Sequence, residues 1–379
     1  MRFALTGARI FDGARFLDRH AVVVEDGRIL ATPPLADLAN DIERRAVEGL
    51  LAPGFIDVQV NGGGGVLFND DPSADAIRAI GAAHRRYGVT GFMPTFITDA
   101  RARMAEAVAA ARDALALNVP GALGVHLEGP FLNPARKGAH DPRFMRPVEE
   151  EDIALMASLG AGRTMVTLAP EMVPMETVAR LAEGGVLVCA GHTEASYETV
   201  AEARRRGLRG YTHLFNAMPP PAGRAPGPAG AALDDDESWC GLIADLHHVS
   251  APMLRVALKA RGCERMMLVS DAMSLVGSER MSFSLQGREV RREGGRLLLP
   301  DGTLAGSDLD MATAVRNAVH ALGVDLADAL RMASLSPARF LRLDHELGRI
   351  APGYRADLVL LDDGLAARRT WIGGAGDHA

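Results

Sequence analysis

The sequence predicts an α/β protein, a (β/α)8 TIM-like barrel carrying a small β-sandwich domain built from both ends of the chain. Three observations predict it. Across the middle of the 379 residues, short β-branched or apolar runs alternate with helix-like segments, and eight such runs can be counted. The two ends share a strand-and-turn texture with no helical period. Several of the apolar runs close on a polar residue, as strands that feed a catalytic face do.

Taken in order, the N-terminal segment ALTGARIF and the later HAVVVEDGRIL read as short strands, with the Asp26-Gly27 pair between apolar runs marking a hairpin. The C-terminal LGRIAPGYRADLVLLDDGLAARRTWIGG has the same texture, so residues 1–50 and 346–379 are expected to pair into one small domain flanking a barrel over 51–345. The eight barrel strands are placed at 54–60, 91–96, 122–128, 164–169, 185–190, 210–215, 240–245 and 265–271. Between them, ADAIRAIGAAHRRYG and ARMAEAVAAARDALAL repeat apolar residues every three or four positions, which is helical spacing. The stretch from Met281 to Gly306 breaks the rhythm with alternating strands and Gly-containing turns and is expected to be a β-hairpin insertion. A Pro-rich loop, PPPAGRAPGPAG at 219–230, suits a rigid surface segment beside a substrate.

Composition removes several classes of function. No apolar run approaches the roughly 20 residues of a membrane helix. A net charge of -7 with 5% aromatics offers neither the basic footprint nor the stacking residues of a nucleic-acid binder. Cys189, Cys240 and Cys263 lack CxxC spacing and read as small buried residues, not as a disulfide framework or thiolate zinc site. MRFALTGARIFDG has no uninterrupted apolar core, so a cytoplasmic location is expected. Arg204 to Arg206 follow VAEA and precede Gly207, the position of cations on a solvated last helical turn.

Glu128 closes the third predicted strand, His192 follows the fifth, His213 lies near the end of the sixth and Asp271 closes the eighth. A carboxylate and two imidazoles from three strands form a metal set that leaves a position open for water. His126 shares a strand face with Glu128 and is read as a supporting neighbour, not as a ligand.

In order along the chain, GFIDVQVNGGGG, HLEGPFLNPARKGAH, AGHT, THLFNAMPPPAGRAPGPAGAAL, ADLHHVS, LVSDAM, GTLAGSDLDMA and LGRIAPGYRADLVLLD resemble the N-acetylglucosamine-6-phosphate deacetylases of the amidohydrolase superfamily. The resemblance implies that Glu128, His192 and His213 hold one divalent metal ion per subunit, zinc first among candidates that include iron, manganese and cobalt. It makes Asp271 the acid/base, with Gln59 beside the nucleophilic water. Where many superfamily members carry His-x-His on the first strand, this chain has Gln59 and Asn61, and neutral amides are poorer ligands. Ala139 and His140 would flank the acetamide, His140 polarising its carbonyl. Asn216, Ala217, Arg224, His248 and the Leu304, Ala305 and Gly306 backbone would hold a phosphorylated N-acetylated amino sugar, and a homodimer is implied.

The implied reaction releases acetate from N-acetyl-D-glucosamine 6-phosphate. An N-acetylgalactosamine-6-phosphate deacetylase or another N-acyl hydrolase keeps the same chemistry. A dihydroorotase-like enzyme lacks support without the His-x-His pair. A silent phosphosugar-binding barrel would be marked by loss of a ligand or of Asp271, and all four residues are present.

Overall fold

The computed structural model describes residues 2–378. Eight parallel strands form the barrel: β1 Phe55–Val60, β2 Val89–Ile97, β3 Gly124–Glu128, β4 Arg163–Leu168, β5 Leu187–Ala190, β6 Gly210–Tyr211, β7 Trp239–Ile243 and β8 Met266–Val269. They neighbour one another in sequence order. Every residue of β1, β2, β3 and β8 is buried, because helices cover the outer face while side chains fill the interior. The sixth strand is two residues long, shorter than the apolar run 210–215 predicts, because the chain turns into the site at His213.

The seam between β1 and β8 is closed mainly beyond the strand ends. Asp271 N–H donates to Gln59 C=O at 3.0 Å, and Asn61 N–H to Ala272 C=O at 2.8 Å. The first and last strands therefore deliver Gln59, Asn61 and Asp271 to one place.

Helices form where the period predicts them. Ala74–Arg85 starts at Ser73, whose hydroxyl accepts from Ala76 N–H, and it buries Ile77 and Ile80 on one face. Arg101–Ala116 buries Met104, Ala107, Val108 and Ala111, an i, i+3, i+4, i+7 stripe.

At the chain ends, a four-stranded sheet (Arg2–Thr6, Val22–Glu25, Arg28–Ala31, Glu43–Ala46) faces a six-stranded one that mixes Arg9–Phe11, Phe16–Leu17 and Leu50–Pro53 with Leu358–Leu361, Ala367–Ile372 and Ala375–His378. Phe3, Leu5, Val22, Ile10, Leu358 and Trp371 share the apolar cluster between them. Asp26 (φ 48°) and Gly27 (φ 81°) make the expected two-residue hairpin turn.

The insertion is larger than a hairpin. Ser282–Leu285, Arg288–Glu293, Arg296–Leu298 and Leu304–Ser307 form a four-stranded antiparallel sheet. Gln286-Gly287 and Gly294-Gly295, all at positive φ, each reverse the chain, and a third turn at 300–303 adds the last strand. Its Ser307 bridges Ala272, which carries Leu304 and Gly306 to the barrel mouth. No helix among the described residues is long and apolar enough to cross a membrane.

Candidate active site

The polar residues that close the strands converge. Glu128 is the last residue of β3, and His192, His213 and Asp271 each follow their strand by two residues. His192 (φ 50°), His213 (φ 33°) and Asp271 (φ 52°) all sit in left-handed backbone, which for such residues costs on the order of 1–3 kcal/mol each and swings each side chain inward off its strand. Gly306 (φ 60°) meets the same crowding, since a Cβ there would lie 2.6 Å from Met273 Cγ and 3.0 Å from Asp271 O.

Glu128 Oε1 lies 3.2 Å from His192 Nε2 and 3.0 Å from His213 Nε2, and the two Nε2 atoms are 3.0 Å apart. His192 Nδ1–H donates to the Arg136 carbonyl at 2.8 Å, so its Nε2 presents a lone pair to the other two ligand atoms. With its Nδ1 proton so committed, His192 Nε2 faces Glu128 Oε1 as a second acceptor at 3.2 Å, an arrangement that a cation among the three atoms relieves. The edges are within a few tenths of an ångström of those set by bonds of about 2.0–2.2 Å to a shared ion. The triad thus fits a divalent metal. Ligand atoms of Glu128, His140 and His192 also lie within 4.8 Å of one another, a looser set. His140 is better read as a donor: Thr98 N–H points at its Nδ1 (3.4 Å) and the Thr98 hydroxyl lies 2.8 Å from it, leaving an Nε2–H for the cavity.

Electrostatics agree with a cation site. Burial works against the Glu128 charge, yet the adjoining His192 and His213 rings hold its carboxyl well below the usual range. Burial, followed by the Glu128 charge, pushes Asp271 up to about 6. Asp271 Oδ1 accepts from Asn61 Nδ2 (2.7 Å) and Gln59 Nε2 (3.1 Å), while that same Gln59 amide lies 3.2 Å and 3.3 Å from the Glu128 oxygens. Burial and the neighbouring His192 keep His140 well below the ordinary histidine value, and therefore neutral.

Of the residues predicted from sequence, Glu128, Ala139, His140, His192, His213, Asn216, Ala217, His248, Asp271, Leu304 and Gly306 line one cavity of 190 Å³. Gln59 and Ala305 are buried just behind its wall. His248 is held by Asp245, which accepts from its Nδ1–H at 2.6 Å. Arg224 stands apart, exposed on the Pro-rich loop and not in the wall. His126 gives both ring nitrogens to hydroxyls, Nδ1 to Thr95 (3.1 Å) and Nε2 to Thr167 (2.7 Å), and burial brings it down to about 4, so it is a neutral strut below the site. Sequence reasoning missed the roles of Thr98, of the Arg136 carbonyl and of Asn61 as Asp271's donor. Only Asn61 left a signal, its place two residues after Gln59.

Behind these, fully buried Asp57 ties β1 to β8. Its Oδ1 accepts from the Gln59 and Ser270 backbone N–H groups, both at 3.2 Å. Burial outweighs these bonds and, with the nearby Asp271 charge, raises it to about 7. The folded state therefore holds a proton that the unfolded chain, with an ordinary carboxyl, gives up near pH 4. This contribution to stability is complete at low pH and is lost as pH rises through about 7. Asp57→Asn removes the titration. The melting temperature of the variant relative to wild type should rise between about pH 5 and about pH 8; an unchanged difference across that range would show that Asp57 is charged in the folded protein.

An eight-stranded barrel with a carboxylate, two imidazoles and a buried acid at its strand ends defines a metal-dependent hydrolase. The chain belongs to the amidohydrolase family: that family's model matches residues 50–376, and a NagA composite domain matches residues 2–51. It is 40% identical to an N-acetylgalactosamine-6-phosphate deacetylase of Shewanella sp. (strain ANA-3), over 97% of this chain and 94% of the relative. An N-acetylglucosamine-6-phosphate deacetylase of Haemophilus influenzae is 34% identical over 95% of each. Among solved structures, N-acetylglucosamine-6-phosphate deacetylase from Pasteurella multocida superposes with a TM-score of 0.96 at 32% identity and full coverage of both chains. A mutant of the Mycobacterium smegmatis enzyme in complex with N-acetyl-D-glucosamine-6-phosphate gives 0.91 at 31%, covering 99% of each.

Proposed function

We propose that the chain hydrolyses the acetamide of N-acetyl-D-glucosamine 6-phosphate to glucosamine 6-phosphate and acetate. The observation that carries this reading is the tight Glu128, His192 and His213 triad facing Asp271 and His140 across one small cavity. Full-length similarity to deacetylases of phosphorylated N-acetyl amino sugars supports the substrate class.

Glu128, His192 and His213 would hold one divalent ion, zinc first among zinc, iron, manganese and cobalt, which when bound lowers the pKa of a water and polarises the amide carbonyl. Asp271, oriented by Asn61 and Gln59, takes the proton of the attacking water. The water oxygen bonds to the acetyl carbon, and the negative charge that grows on the carbonyl oxygen meets the His140 Nε2–H. Asp271 then passes its proton to the sugar nitrogen as the C–N bond breaks, giving acetate and the free amine. Asn216, Ala217, His248 and the Leu304 to Gly306 backbone would line the sugar phosphate. Arg224, exposed and clear of this cavity, is assigned to the phosphate through a homodimer whose second subunit completes the pocket. Free thiols at Cys189, Cys240 and Cys263 suit a cytoplasmic enzyme.

A second reading keeps every step and changes the sugar epimer, and the 40%-identical relative favours it. Side-by-side kinetics on both phosphorylated sugars decide between them. The N-acetylglucosamine ester is expected to have the higher kcat/KM. A preference for the galactosamine epimer supports the second reading, and failure to release acetate from either overturns both.

A further inference from the structure

At the N-terminal end of the barrel, away from the catalytic mouth, lies a cleft of 630 Å³. Arg204, Arg205, Arg209, Arg265 and Arg342 line it, with Glu237 the one acidic residue of its wall. The chain as a whole carries a net charge of -7, so a cleft walled by five arginines and one acid runs against its overall sign.

Arg204 is committed to Asp235 (2.8 Å) and Arg205 to Glu202 (2.5 Å). The other three make no close ion pair. Arg209 immediately precedes β6, and its guanidinium is fixed by the carbonyls of Phe340 and Arg339, both at 2.9 Å. Arg265 immediately precedes β8 and stacks over Trp239, 5.3 Å from the ring centre. Arg342 is exposed at φ 57°. Among the described residues, none of these three has a carboxylate within ion-pair distance, and Asp344 acts on Arg209 only from farther off. They are near enough for Arg342 and Arg265, after burial, to lower the proton affinity of Arg209. A second cleft of 300 Å³ shares Arg342 and adds Arg163.

Like charges gathered in one cleft are costly unless a counter-charge joins them. A phosphoryl group suits the geometry, since its dianionic oxygens accept the forked N–H pairs of several guanidiniums at once. The cleft is larger than a bare ion requires. We propose that the N-terminal face of the barrel binds a small phosphorylated metabolite between Arg209, Arg265 and Arg342, at a site separate from the catalytic cavity.

The test is calorimetric titration of the purified full-length protein with pyrophosphate, ATP and glucose 6-phosphate, repeated on Arg265→Gln and Arg342→Asn. Asn tolerates left-handed backbone, and Arg342 makes no side-chain contact that its loss would break, so this variant stays folded if Arg265→Gln does not. At least one probe should bind wild type saturably and bind each folded variant about tenfold or more weakly, as loss of a charge-assisted pair predicts, with kcat/KM of the hydrolysis unchanged. The tightest probe then separates a nucleotide from a sugar phosphate as the natural ligand class. No saturable binding at millimolar concentration, or equal binding by wild type and Arg342→Asn, overturns the site.

Discussion

Replacing Asp271 by Asn is expected to reduce kcat by about 10²–10⁴-fold, the range that general acid/base transfer supplies, while the fold is kept. The substitution is isosteric, and its carbonyl oxygen can still accept from Asn61 Nδ2 and Gln59 Nε2, now 2.7 Å and 3.1 Å from Oδ1. It also removes a carboxyl whose charge burial and Glu128 already disfavour, so the melting temperature should hold or rise. Metal content should stay near wild type, because the ligand triad is untouched. Turnover numbers with thermal melts and metal analysis separate the possibilities. A variant that keeps more than a tenth of wild-type kcat rules out Asp271 as the proton shuttle, whereas a collapsed melt would assign it to the β1–β8 seam.

Removing a ligand should act one step earlier. His192→Ala takes away the lone pair that Arg136 C=O fixes toward Glu128 and leaves two of three ligand atoms. Metal bound after purification is expected to fall at least tenfold, and acetate release to fall to the level of a chelator-treated wild-type sample. Excess divalent ion should restore the chelated wild type and not the variant. Elemental analysis beside the assay checks this; a variant with full metal content would transfer the ligand role to His140, whose ring centre lies 4.4 Å from that of His192.

Much of the molecule was legible in the sequence because the signals are local. The barrel strands declare themselves as apolar runs, and the helices 74–85 and 101–116 as 3.6-residue stripes. Glu128, His192, His213 and Asp271 were legible because a polar residue at the end of a buried strand has few structural reasons to be there. The length of the sixth strand was not, since His213 belongs to the apolar run 210–215 and only its backbone turn takes it out of the sheet. Nor was the third reversal at 300–303, which makes the insertion four-stranded.

By itself, then, the sequence determined the α/β alternation, the strand texture of the two ends and the types of polar residue that close the buried strands. These follow from side-chain chemistry and short-range periodicity. Only the tertiary structure decided which atoms meet. Asn61 is 210 positions from Asp271 and Thr98 is 42 from His140, yet each supplies a bond that orients a reacting group. The structure also left Arg224 outside the cavity wall and drew Arg209, Arg265 and Arg342 together at the opposite face. Barrel closure makes the Asn61–Asp271 contact by joining the first strand to the eighth, neighbouring loops make the others, and no local pattern in the chain encodes these distances.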